Sequence, residues 1–142
     1  MLSFGVSIPF VDHLGFRLMK MEGGESELHF EPRPEHLNSF DVVHGGATMT
    51  LLDVTLATAA RSVTPELGVV TIEMKTSFML PARGKLVGKA RLIHRTKSMA
   101  FTEGGVYDEE GRLCSHATGT FKYVPRRADP QHPETLVPVA TD

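Results

Sequence analysis

The chain has 142 residues, which is enough for one domain with a real hydrophobic core. Charged residues make up 23% of it, and the formal net charge of -2 gives no sign of nucleic-acid binding. Residues 1–11 lack the pattern of a signal peptide, and no stretch is long enough to span a bilayer, so we expect no membrane partner. The single cysteine, Cys114, excludes an internal disulfide and favours a reducing cytoplasm.

The predicted elements begin with a short helical lead within residues 1–13. Two strands follow, at residues 15–21 and 25–30, and Gly23-Gly24 lies between them. A Gly-Gly pair between two alternating runs predicts a hairpin. Prolines then end the second strand, and residues 32–41 are predicted to form a loop.

A long apolar run predicts a central helix from about residue 44 to 62. Its only acid before Arg61 is Asp53, and apolar residues occur all round the helical wheel. A helix that is apolar all round is a buried helix, so we expect Asp53 to be carried into the interior. A buried carboxylate is costly unless it is paired or used.

Strands dominate the rest of the chain. In residues 70–80 the even positions are mainly apolar, whereas Thr71 and the other odd positions are mainly polar, which predicts a strand with one buried face. Further strands are predicted at residues 85–95, 98–107 and 112–124. The class is therefore α+β: one long helix wrapped by a curved antiparallel sheet of five or six strands. That sheet exceeds what one helix covers, so we expect a second chain on a face or edge.

We therefore expect a single domain over residues 1–124. The remaining segment, residues 125–142, contains four prolines and little to bury, so we predict a mobile tail.

Gly45 and Gly46 stand where the central helix begins. Glycines there let a ligand approach the free N–H groups of the first turn, which can polarise a carbonyl. Asp53 can then serve as general base for water or as nucleophile. Gly46 and Asp53 are seven residues apart, roughly 10 Å along a helix, so one chain cannot easily offer both to one carbonyl. We therefore hypothesise a two-fold dimer in which each Gly46 faces the partner's Asp53.

Between Glu73 and Glu103 the chain has no acid but seven basic residues. Localised positive charge suits a polyanionic ligand such as a nucleotide, although a solvated strand face is an equal alternative. The basic residues are Lys75, Arg83, Lys85, Lys89, Arg91, Arg95 and Lys97. The histidines lack metal-ligand spacing, so we predict no metal.

The segment His44-Gly45-Gly46 followed by Leu52-Asp53, with Asn38 six residues before the histidine, resembles the PaaI-type hotdog-fold acyl-CoA thioesterases. The resemblance covers roughly residues 14–124. It implies hydrolysis of an acyl-CoA thioester by a homodimer packed into a homotetramer, without metal or redox cofactor. The site residues that it implies are Asn38, His44, Gly46 and Asp53, with Thr71 helping to orient water, Gly45 binding substrate, and Arg95 and Lys97 holding CoA phosphates.

Two other functions stay open at this stage. A hotdog hydratase or dehydratase would use the acid and His44 together on a hydroxyacyl thioester. A non-catalytic module would bind acyl-CoA in the same pocket, although residues 1–13 are too short for the helix-turn-helix of a DNA-binding sensor.

Overall fold

A six-stranded antiparallel sheet wraps one long helix. The computed structural model describes residues 1–128, 131 and 136–139. The helices are α1 (Pro9–Leu14) and α2 (Gly45–Arg61), with a short 3-10 turn at Pro34–His36. The strands are β1 (Arg17–Glu22), β2 (Glu25–Phe30), β3 (Gly68–Phe78), β4 (Leu86–Arg95), β5 (Met99–Tyr107), β6 (Leu113–Val124), β7 (Arg126–Ala128) and β8 (Leu136–Pro138). The strand order in the sheet is β1-β2-β4-β5-β6-β3. The predicted α+β class, the single long helix and the antiparallel sheet are confirmed.

The predicted hairpin between β1 and β2 is also present. Its two loop residues, Gly23 and Gly24, have φ angles of 59° and 83°, which a two-residue hairpin loop requires and which glycine adopts without strain. In the tail, β7 and β8 form a separate two-stranded pair. Most other tail residues lie outside the described part of the chain, so the mobile tail stays a prediction. No helix in the described part is long and apolar enough to cross a membrane.

Helix α2 buries one side against the sheet and leaves a stripe on the other side partly open. Leu51, Leu52 and Leu56 are fully buried. Met49, which is 38% exposed, and the half-buried Asp53 lie on the open stripe. The expectation of a helix buried all round, with Asp53 in the interior, is therefore wrong for the single chain. The sheet covers only one side of α2, and the apolar residues of the stripe have no cover within the described chain.

Strand β3 lies at the edge of the sheet and carries an irregularity that the sequence pattern did not predict. Thr71 pairs with Phe121, but Glu73 pairs with Thr120, so Ile72 is an extra residue in β3. Such a bulge reverses the side to which the following residues point. Thr71 before the bulge and Met74 after it therefore both face α2. The predicted period-2 strand with one buried face over residues 70–80 is wrong for the single chain, because the bulge breaks the alternation and most of β3 is exposed.

The edge strand is also strongly apolar on its exposed surface. Val70 is 41% exposed, Ile72 is 55% exposed and Phe78 is 54% exposed. β3 pairs with β6 on one side, and no described strand pairs with its other edge. An apolar, unpaired edge of 11 residues is a surface to which another strand can add.

Candidate active site

His44 caps the N-terminus of α2 with its side chain. Its Nδ1 accepts the N–H of Gly46 at 2.8 Å, and its carbonyl oxygen accepts the N–H groups of Ala47 and Thr48. A neutral imidazole that accepts at Nδ1 carries its proton on Nε2. A Cβ at Gly46 would lie 3.0 Å from Nδ1, so glycine leaves the ring room to make this cap.

This cap changes which backbone N–H is available at the helix start. The predicted donor, the N–H of Gly46, is occupied by His44, so the prediction does not match the geometry of the single chain. Helical N–H groups in the first turn have no partner within the helix itself. For Gly45, no described residue supplies an acceptor. The free donor at the start of α2 is therefore that of Gly45.

Asn38 organises the loop that leads into α2. Its Oδ1 accepts the N–H of Phe40 at 2.9 Å and that of Val42 at 3.3 Å. Between these two residues, Asp41 adopts a left-handed backbone with φ of 58°, a conformation that aspartate tolerates better than most residues. The Asn38 side chain thus holds the loop and also lines the groove beside Gly45.

A buried histidine fixes the other end of this loop. The carbonyl oxygen of His36 accepts the N–H of His44 at 2.8 Å, and its Nδ1 accepts the N–H of Arg33 at 2.9 Å. Burial is the main cause that lowers the pKa of His36, which favours the neutral ring that this second hydrogen bond needs. The start of α2 is therefore anchored through its preceding loop to the core.

Asp53 and Thr71, predicted as partners in the site, are brought together by the bulge in β3. The Thr71 hydroxyl donates to Oδ1 of Asp53 at 2.7 Å. No described residue donates to the second oxygen, Oδ2, which is left to meet a ligand or water. The carboxylate is thus oriented by one strong hydrogen bond and retains one available oxygen.

Two separate grooves contain the two halves of the predicted site. The acid groove, of about 470 Å³, is lined by Ile8, Phe10, Val11, Met49, Thr50, Asp53, Val54, Thr71 and Met74. The glycine groove, of about 350 Å³, is lined by Asn38, Val42, Val43, Gly45, Thr48, Phe78, Met79, Leu80, Pro81, Ala82 and Ser115. Within one chain, Gly45 and Asp53 therefore open into different cavities. The contribution of α1 to the acid groove could not be predicted from the sequence, because a six-residue helix gives almost no periodic signal.

The predicted basic patch does not form as one surface. Arg83 and Lys85 precede β4, whereas Arg95 is the last of its ten residues and Lys97 follows it. Arg91 is paired with Glu103 at 2.7 Å. Arg95 pairs with Ala100 of β5, which pairs with Phe121 of β6, which in turn pairs with Thr71 of β3. The turn that follows Arg95 therefore lies at the same end of the sheet as the acid groove.

The side chain of Arg95 is oriented by a neighbouring ring, whereas that of Lys97 is exposed. The Arg95 guanidinium lies 4.4 Å from the centre of the Tyr123 ring, a cation–π contact that orients it. Lys97 is exposed at the tip of the turn. Elsewhere, no group of three or more His, Cys, Asp or Glu side chains among the described residues could hold a metal ion.

Comparisons with known proteins agree with this fold. The model of the Thioesterase superfamily matches residues 40–115, which include the loop, α2 and β3 to β5. The proofreading thioesterase EntH of Klebsiella pneumoniae is 34% identical over 109 residues, which are 73% of this chain and 77% of EntH. The chain therefore belongs to the thioesterase superfamily.

Solved structures support the hotdog fold. Protein PA5202 of Pseudomonas aeruginosa has a TM-score of 0.80 at 24% identity and covers 84% of this chain and 97% of its own. The PaaI protein of Escherichia coli, from the phenylacetic acid degradation operon, has a TM-score of 0.76 at 20% identity, with coverages of 81% and 83%. The predicted PaaI-type hotdog resemblance is confirmed, and the family supports thioester hydrolysis in general.

Proposed function

We propose that this protein hydrolyses acyl-CoA thioesters to a free acid and CoA. The observation that carries the proposal is the Asp53 carboxylate, which Thr71 holds by one oxygen while the other opens into an apolar groove. A carboxylate in such a place can accept a proton from water or attack a carbonyl. Membership of the thioesterase superfamily supplies the reaction class.

Gly45 is the proposed donor to the thioester oxygen, in place of the Gly46 donor predicted from the sequence. Its N–H lies at the positive end of α2 and is the one that His44 leaves available. As the carbonyl carbon is attacked, its π electrons move to oxygen, where this N–H stabilises the negative charge. Collapse of the tetrahedral intermediate re-forms the carbonyl, breaks the C–S bond and expels the CoA thiolate.

Asp53 has two chemically balanced roles. As a base, Oδ2 takes a proton from water while the water oxygen bonds to the carbonyl carbon. As a nucleophile, Oδ2 bonds to that carbon itself, and water later hydrolyses the resulting anhydride. Label found in Asp53 after a single turnover in ¹⁸O-labelled water would establish the nucleophile route, because only cleavage of an anhydride at the aspartyl carbon can leave label there.

The complete site is proposed to form between two chains. Gly45 and Asp53 are eight residues apart on α2, ~12 Å along the axis, and they open into different grooves. Thr71 lies near the start of β3 in the acid groove, and Phe78 lies at its end in the glycine groove. If two β3 edges pair antiparallel about a two-fold axis, the acid groove of one chain meets the glycine groove of the other.

The CoA end of the substrate is assigned to Arg95 and Lys97. Three strand spacings of ~4.8 Å separate Arg95 from Thr71, so the basic turn lies ~14 Å along the sheet from the residue that holds Asp53. That separation suits a thioester joined to its phosphates by a long arm. The tetrameric assembly and the cytoplasmic location remain predictions that the single chain does not test.

Release of free CoA thiol from a panel of acyl-CoAs tests the function. Wild-type protein should release thiol with turnover, and Asp53→Asn should lose most of the rate while still binding substrate. Its matched control is Asp12→Asn, which changes an acid of α1 that does not line the acid groove. Tight binding without thiol release would favour the binding module, and conversion of a hydroxyacyl-CoA without thiol release would favour the hydratase.

A further inference from the structure

The N-terminal arm, residues 1–8, is held to the domain by two hydrogen bonds. The N–H of Leu2 donates to the carbonyl oxygen of Leu18 at 2.8 Å, and the buried Arg61 donates to the carbonyl oxygen of Phe4 at 3.1 Å. Further along, α1 buries Val11 and Leu14 in the core. The arm therefore holds α1 in a defined position beside α2.

Phe10 is the exposed residue that α1 presents at the acid groove. It is 58% exposed, whereas its neighbour Val11, which also lines the groove, is buried. Of the described residues that line this groove, Asp53 is the only charged one. A large exposed aromatic ring beside a single oriented carboxylate is the composition of a small-molecule site, in which apolar walls surround a few polar groups.

We infer that Phe10 is a specificity-determining residue that limits the length and bulk of an apolar acyl group bound in the acid groove. The inference rests on the proposed function, because a thioester carbonyl that reaches Asp53 brings its acyl group to these walls. Among the described residues of one chain, none that lines the groove is a cation, so a terminal carboxylate on that group would be repelled by Asp53. The proposed substrates therefore carry an uncharged acyl group.

Family membership does not assign this role. The superfamily match covers residues 40–115, whereas α1 lies at residues 9–14. The wall that α1 contributes is thus a feature of this chain outside the matched region. Since Phe10 is exposed, its truncation removes a ring from the groove without opening a cavity in the core.

The experiment compares kcat/KM for butyryl-CoA and decanoyl-CoA in wild type, Phe10→Ala, Phe10→Trp and Phe101→Ala. Phe101 is the matched control: it is 38% exposed and stacks on His94 but does not line the groove. We expect Phe10→Ala to raise the decanoyl-to-butyryl ratio about tenfold, because roughly one to two further methylenes would be buried and each is worth roughly fourfold. Phe10→Trp should lower the ratio, and Phe101→Ala should leave it unchanged.

An unchanged or lowered ratio in Phe10→Ala, with an active wild type, would overturn the role of Phe10 and leave hydrolysis intact. Loss of the dimer in Phe10→Ala at assay concentration would also overturn it, since the groove would then hold the partner chain. If the wild type releases no thiol, the proposed function fails instead. In that case Kd values for S-butyl-CoA and S-decyl-CoA, which cannot be hydrolysed, test the same ratio without turnover.

Discussion

Replacement of Gly45 by proline removes one backbone N–H from the proposed site while α2 can still form. Gly45 is the first residue of α2, a position that proline favours. The preceding residue, His44, has φ of -57° and ψ of 136°, the extended conformation that a following proline requires. Loss of one preorganised oxyanion donor costs ~10²–10³ in kcat. We expect Gly45→Pro to show a loss of this size with a smaller change in KM, because the donor acts mainly on charge that develops in the transition state.

The matched control is Gly45→Ala, which keeps the N–H. Its Cβ would lie 3.5 Å from the Phe78 ring, an ordinary van der Waals distance, so we expect a change of about twofold or less. Both variants are assayed by thiol release, with circular dichroism to confirm the fold. If folded Gly45→Pro retains wild-type kcat, or if alanine damages turnover as much as proline does, the assignment of the Gly45 N–H is wrong.

The same variant tests whether the site is shared between chains. Gly45→Pro and Asp53→Asn are each expected to be nearly inactive alone, but a heterodimer of the two would contain one shared site with both groups intact. Random exchange of equal amounts should restore about a quarter of wild-type activity, since half of the dimers are mixed and half of their sites are intact. If exchange is demonstrated by mass spectrometry and no activity returns, both groups must come from one chain.

Three further predictions concern the groups that support the site. Thr71→Val keeps the β-branched shape but removes the donor to Asp53, so kcat should fall about 5–10-fold for a partly exposed hydrogen bond of ~1 kcal/mol. Thr71→Ser should stay near wild type; equal effects of both would contradict the role of the hydroxyl. Gly46→Ala forces the His44 ring to shift, and loss of an N-cap costs ~1 kcal/mol, which should lower Tm by about 3–4 °C in a thermal melt. Because burial lowers the pKa of His36 from its ordinary 6.5, the unfolded chain binds its proton more readily than the folded chain below that pH. The unfolding free energy in urea should therefore fall from pH 7 to pH 5, and less steeply in His36→Phe; equal slopes would contradict this.

Much of the fold could be predicted because local patterns decide it. The Gly23-Gly24 pair specifies its hairpin through backbone conformation, and the length of the apolar run in α2 favours a helix over a strand. The extent to which α2 is buried could not be predicted, since it depends on how many sides the rest of the fold covers. The composition of α2 shows that its side chains are apolar enough to be buried. Which of them are covered depends on the surfaces that the rest of the fold, or a second chain, packs against the helix.

Only part of the site could be predicted, because the rest also depends on tertiary structure. His44, the two glycines and Asp53 were found because they lie in one continuous segment. The position of Thr71 depends on the bulge at Ile72, and a bulge leaves no mark in an alternating pattern when the extra residue is itself apolar. The capping role of His44 depends on a side-chain rotamer, which sequence spacing does not determine.

The exposed edge of β3 connects stability with function in this protein. An apolar, unpaired edge is a liability for a single chain, because it can pair with any available strand. Here the same edge separates two half-sites, with Thr71 near one end and Phe78 at the other. Antiparallel pairing of two such edges would cover Val70 and Ile72 and would place each Asp53 opposite a partner's Gly45. The β3 edge leaves apolar residues exposed in the single chain, and its pairing with a second copy would therefore complete the proposed catalytic site.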